Sequence, residues 1–137
     1  MFYLIYVSSA TKLMSHDELL SLLEVARKEN ERLGVTGMLL YQEGSFMQML
    51  EGDKQTVLDL YEKIKKDGRH NGVATVLTDD IDERNFEDWT MGFFNMDKAG
   101  DFQKYNDYIK ENLTLKSFNK GSQEAYRFMI LFSEINR

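Results

Sequence analysis

Two apolar runs, "VTGMLLYQ" (Val35 to Gln42) and "SFMQMLE" (Ser45 to Glu51), are separated only by Glu43 and Gly44. A two-residue break containing glycine between two strand-like runs reads as the turn of a β-hairpin. The rest of the chain is arranged around that hairpin. Upstream, "FYLIYVS" (residues 2–8) alternates as a strand that puts Phe2, Leu4, Tyr6 and Ser8 on one face. A helix follows. Ser15 and Glu18 have capping-box spacing, and Leu19, Leu22, Leu23 and Ala26 recur at the helical period. Gly34 stands where such a helix stops. Downstream, Asp53 caps a second helix running from about Lys54 to Asp67, with Val57, Leu60, Tyr61 and Ile64 as its apolar stripe. "GRHNG" breaks the pattern, "VATVL" (Val73 to Leu77) is a fourth strand, and "WTMGFFN" (Trp89 to Asn95) is a fifth. The acidic stretch "TDDIDERNFED" joins these two strands as a loop.

The order βαββαββ predicts an α+β fold of the ferredoxin-like kind, a five-stranded mixed sheet with two helices packed on one face. Residues 101–115 and 122–136 carry two further helical patterns, the second strongly apolar through Phe128, Met129, Leu131, Phe132 and Ile135. This C-terminal pair is the expected cover for the other face. The predicted division is a domain over residues 1–97 and a helical extension over 98–137. A chain of 137 residues that is 42% apolar has enough material for one core. No apolar run reaches eighteen residues, so no membrane span is predicted. The start, "MFYLIYVSSA", alternates like a strand and lacks the basic region of a signal peptide. A net charge of −6 argues against nucleic acid as a direct partner. With no cysteine there are no disulfides, thiolate metal sites or cysteine nucleophiles, which fits a reducing, cytoplasmic setting. His16 and His70 are the only histidines, too few for a histidine-built zinc site.

Gln48 is the residue the strand pattern does not explain. It sits mid-strand among apolar neighbours, and a buried, unpaired amide costs a few kcal/mol. Strand parity puts Phe46, Gln48 and Leu50 on one face and Met47, Met49 and Glu51 on the other. The ferredoxin-like order makes the first and third strands neighbours, so Tyr6 and Gln48 can share a face and bond each other. Taken alone, that is a polar pair tying two strands together. Asn30, late in the first helix and two residues after Lys28, is a poor helix former that either frays the helix end or serves a purpose. Arg69 and His70 read as cations at the end of the second helix, favourable to its dipole. Trp89 and Met91 alternate on the last strand as core residues do.

Taken together, these pieces resemble the BLUF domain, a flavin-binding blue-light sensor, over roughly residues 2–97. The resemblance is carried by "LIYVS" with Tyr6, "NERLGVTGMLLY" with Asn30, "GSFMQMLEG" with Gln48, "DGRH" with Arg69 and His70, and "DWTM" with Trp89 and Met91. Each piece is unspecific, but five in this order and spacing are specific. The last forty residues look like the helical tail of short, stand-alone members. The resemblance implies a flavin between the two sheet-packed helices, usually FAD, with FMN also admissible. Its ring would slot beside Phe46. Asn30 would bond the pyrimidine end, and Gln48 would stand between Tyr6 and the N5/O4 edge. Lys28 and Arg69 resemble basic positions near the ribityl phosphate, with His70 beside them. It further implies that blue excitation draws an electron from Tyr6, that a proton follows through Gln48, and that the amide ends turned or tautomerised. A new hydrogen bond to the flavin O4 then shifts absorption to the red. Trp89, Met91 and the last strand would pass the change to the C-terminal helices and on to a downstream protein partner.

Two rival readings remain at this level. An acylphosphatase-like enzyme on the same fold would need an arginine in the first loop, and "SSATKLM" has none. A light-independent dimeric module that binds a small metabolite or a protein partner is the other. Catalysis is not expected of the chain itself, since in BLUF proteins it resides in attached domains. The apolar tail makes self-association, and hence a homo-oligomer, an expectation.

Overall fold

Among the described residues seven elements form in the anticipated order: β1 (Phe2–Ala10), α1 (His16–Leu33), β2 (Thr36–Gln42), β3 (Ser45–Gly52), α2 (Lys54–Lys65), β4 (His70–Asp80) and β5 (Gly92–Asn95). The computed structural model describes residues 1–86, 90–98, 100, 101 and 104. The strands lie in the order β4-β1-β3-β2-β5. Neighbours are antiparallel except β2 and β5, which run parallel, so the sheet is mixed as expected.

The local signals behave as their chemistry requires. At the start of α1, the Ser15 hydroxyl accepts from the Glu18 N–H at 3.1 Å, and the Glu18 carboxylate accepts from the Ser15 N–H at 3.2 Å. Gly34 closes the helix in the left-handed conformation at φ 70°. The hairpin turn holds Glu43 and Gly44 at φ 47° and 80°, the twist that joins antiparallel strands through two residues. Glu43 is not an easy left-handed residue, and its N–H is held by the Asp97 carboxylate at 3.0 and 3.1 Å. Within the hairpin, β2 and β3 approach so closely at Gly37 that an added Cβ would lie 1.8 Å from the Met49 carbonyl oxygen.

Both sheet faces are buried. One carries Phe2, Leu4, Tyr6, Leu39, Phe46 and Leu50 and receives Leu19 and Leu23 of α1 and Val57, Leu60 and Tyr61 of α2. Both helices therefore pack on one face, each buried aliphatic side chain contributing about 1.5–3 kcal/mol. The other face carries Tyr3, Ile5, Met38, Leu40, Met47 and Met49, packed with Ile81, Phe86 and Met96. On this second face Glu51 is fully buried, and burial pushes its carboxyl up. It accepts from Thr36 Oγ1 at 2.9 Å and from the N–H groups of Asn85 and Phe86 at 2.8 and 2.6 Å. The helical patterns over 101–115 and 122–136 lie outside the described residues, apart from Asp101 and Lys104, which are helical.

Three differences from the sequence reading bear on the site. α2 ends at Lys65 rather than Asp67, with Lys66 as its cap. β4 starts at His70 and runs eleven residues, so Arg69 and His70 do not end a helix: Arg69 lies in the turn, and His70 opens the strand. Most β4 side chains are exposed, so no apolar run marks its length. Backbone pairing with β1, from Ala10–His70 to Phe2–Asp80, sets it instead. β5 begins at Gly92, so Met91 precedes the strand rather than alternating within it, and Trp89 lies outside the described residues.

Candidate functional site

Where α1 and α2 lie over the sheet they leave a crevice of about 260 Å³. That is at the low end of small-molecule sites, roughly 300–1,000 Å³. Leu22, Val25 and Ala26 of α1 face Leu60 and Ile64 of α2 across it, with Leu39 and Phe46 of the sheet also lining it. Polar side chains reach it from several elements: Tyr6 and Gln48 from the sheet, Asn30 and Glu29 from α1, Lys63 from α2, Asp67 and Arg69 from the turn after it, and His70 from the start of β4.

Tyr6 and Gln48 are register partners across β1 and β3, and the Tyr6 hydroxyl donates to Gln48 Oε1. Burial pushes the Tyr6 phenol well above its ordinary pKa, and Tyr61 and Asp67 nearby raise it further. It therefore stays protonated as the donor. Gln48 Nε2 donates to Met91 Sδ at 3.4 Å. The Tyr6 ring packs 5.4 Å from Tyr61 and 6.3 Å from His70 between centroids. His70 Nε2 lies 2.6 Å from the Ile64 carbonyl, which can only accept, so Nε2 carries a proton. In the neutral ring Nδ1 is then the acceptor for the Ser8 hydroxyl at 2.8 Å. This bond pattern fixes the ring beside Tyr6.

The charges at the crevice are paired with one another. Arg32 and then Lys63, at 2.7 and 3.3 Å, hold the Glu29 carboxyl down at about 2. The Arg69 guanidinium, with Nε 3.0 Å from Asp67 Oδ1, holds Asp67 down at about 2. Asn30 is buried, and its Nδ2 donates to the Thr90 carbonyl at 2.9 Å.

A family model described as sensors of blue light using FAD, BLUF, matches residues 1–92. The chain belongs to the BLUF family. Photoactivated adenylate cyclase subunit beta of Euglena longa is 37% identical over 124 residues, which is 90% of this chain but 14% of that protein. The chain thus spans about a seventh of that relative's length. The ground-state structure of BlsA superposes with a TM-score of 0.66 at 28% identity, covering 95% of this chain and 85% of that one. The dark-state structure of the BLUF protein BlrB superposes with a TM-score of 0.72, covering 97% of this chain and 95% of that one; at 24% identity the likeness is one of fold. As a BLUF domain the chain is a blue-light sensor that binds a flavin.

The residues present fit such a group. A narrow slot with apolar walls suits a flat heteroaromatic ring, and the Asn30 and Gln48 amides suit its polar edge. A carboxamide has four hydrogen-bonding capacities, and among the described residues Gln48 uses two. Of the residues singled out in the sequence, Tyr6, Asn30, Phe46, Gln48, Arg69 and His70 line the crevice, and Met91 touches Gln48. Lys28 is not brought there. It is exposed on α1 with Glu24 at 3.6 Å. Two residues before Asn30 is about 200° around a helix, so the two cannot share a face. Sequence reasoning missed Lys63, Glu29 and Asp67. The one signal for Lys63 was its place beside Ile64, at the border of the α2 stripe.

Proposed function

We propose that this BLUF domain senses light through a relay in which Tyr6 and Gln48, which line the crevice, act with Met91 in contact with Gln48. The observation that carries the reading is the Tyr6 hydrogen bond to Gln48 between register partners that both line the slot. A bound flavin supplies blue absorption and, when excited, a strong electron acceptor. Tyr6 is the electron source. A buried, neutral phenol that loses an electron becomes strongly acidic, and its proton leaves along its hydrogen bond to Gln48 Oε1. Gln48 would take that proton on Oε1 and pass one from Nε2 to the flavin that has accepted the electron, which would leave the amide as its tautomer. Turning the amide likewise exchanges donor and acceptor. When electron and proton return to Tyr6 the balance is restored, and only the orientation or tautomer of Gln48 differs. So rearranged, Gln48 would offer a hydrogen bond to the polar edge of a bound flavin, which would lower its excitation energy and give the red shift.

Asn30 holds the pyrimidine edge in this reading, Phe46 and His70 shape the slot, and Arg69 with Lys63 faces the phosphate end; Lys28 has no part. FAD is the cofactor, and FMN offers the same ring to the same side chains. Trp89 acts with Met91 in carrying the change towards β5. The sensor occupies residues 1–97, with 98–137 as an extension that transmits the signal. The domain catalyses nothing itself and acts on a downstream protein partner, as the name of the cyclase relative suggests for an attached effector. The reading includes a homo-oligomer in the cytoplasm. Among the described residues no helix is long and apolar enough to cross a membrane. Purified protein given FAD should be yellow, shift slightly to the red under blue light and revert in darkness. Protein that takes up no flavin, or a flavin complex that light leaves unchanged, overturns the proposal.

A further inference from the structure

The backbone at residues 90–91 is held by α1. Arg27 Nε donates to the Met91 carbonyl at 2.9 Å, and Asn30 Nδ2 donates to the Thr90 carbonyl at 2.9 Å. Arg27 and Asn30 are three residues apart and project from one side of the helix. The Met91 side chain, 1% exposed, accepts from Gln48 Nε2 at 3.4 Å. β5 starts at the next residue, Gly92, in register with Met38. Met91 thus meets the switching amide through its sulfur, α1 through its carbonyl, and the edge of the sheet through the chain.

We infer that Arg27 is a positioning residue, a latch that keeps Met91 against Gln48 and sets how long the light-adapted arrangement lasts. The inference rests on the photosensing relay above. Turning the Gln48 amide brings Oε1 to where Nε2 was. The contact with Met91 then becomes oxygen against sulfur, two acceptors with no proton between them. Met91 is driven from its seat while Arg27 holds its carbonyl in place. The opposition favours return of the amide. Without the guanidinium donor Met91 withdraws freely, and the turned amide loses the contact that sends it back. Arg27 is exposed overall and does not line the crevice, so the ring's own contacts survive its loss. Asn30 makes the companion bond but also lines the crevice, which is why the latch is tested at Arg27.

The experiment follows dark recovery of the full chain with bound FAD after a blue pulse. Arg27→Gln should keep the parental flavin content and red shift and recover roughly three- to tenfold more slowly, the span of one hydrogen bond's net worth. Arg27→Lys keeps the charge but lacks the Nε donor, and should also slow recovery. Lys28→Gln removes a neighbouring α1 cation that pairs with Glu24 away from the crevice, and should recover at the parental rate. In a Met91→Leu background, which has no sulfur acceptor, Arg27→Gln should add nothing. Recovery within about twofold of the parent in both Arg27 variants, or an equal slowing in the Met91→Leu background, overturns the latch. A parent that binds FAD but shows no red shift overturns the relay and the latch with it.

Discussion

Replacing Tyr6 with phenylalanine removes a single oxygen and leaves the ring to pack against Tyr61 and His70. The donor to Gln48 Oε1 is what disappears. Gln48 is 6% exposed, so water cannot readily substitute, and an amide oxygen stranded in this way costs about 1–3 kcal/mol. The cost of burying the hydroxyl itself is relieved at the same time. The net loss should be about 1–2 kcal/mol. For a chain of 137 residues, the usual unfolding entropy makes that a fall in Tm of roughly 3–7 °C. The photochemical effect is larger: flavin should remain bound while the red shift disappears, because the proposed electron source has gone. The assay pairs a thermal melt of the flavin-bound protein in darkness with a light-minus-dark absorption spectrum. A red shift of parental size would remove Tyr6 from the relay. A Tm at or above the parent's would show that Gln48 Oε1 finds another donor, and the cost estimated from its burial would be wrong.

Two further outcomes follow from the hairpin and the ion pairs. Gly37→Ala forces a Cβ onto the Met49 carbonyl, a backbone atom that cannot rotate away, and should cost about 3 kcal/mol or more in a denaturant melt. An unchanged midpoint would mean that β2 and β3 are not so close there. Glu29 and Asp67 have folded-state pKa values of about 2, below their ordinary 4.5 and 3.8. Their stabilisation is therefore complete above the ordinary values and is lost as pH falls towards 2. A Glu29→Gln/Asp67→Asn double variant should lose less stability than the parent between about pH 4.5 and 2. Superimposable acid titrations would refute the pairing.

What the sequence revealed and what it hid divide along physical lines. Local backbone chemistry was legible: the capping box at Ser15 and Glu18, the stop at Gly34, and the Glu43-Gly44 turn each depend on a few adjacent residues. The Tyr6–Gln48 meeting was legible too, because strand parity and a known strand order suffice to place both on one face. β4 was read too short because its pairing is made by backbone groups while most of its side chains are exposed. The charges around the crevice were hidden for a different reason. On a helix, Lys63 and Lys28 look alike as surface lysines, and only the packing of α2 against α1 decides which one borders the slot. Arg27 gave no signal, since its partner is a main-chain carbonyl 64 residues away.

β5 is a border strand of four residues, paired on its β2 side by four register positions, whereas β1 and β3 share eight. Such a strand opens at far lower free energy than the centre of the sheet. Amide hydrogens of residues 92–95 should therefore exchange sooner than those of β1 and β3, and illumination should widen the gap. If the light signal leaves through β5 as proposed, it would need no wholesale rearrangement, only the fraying of a margin that was fastened lightly from the start.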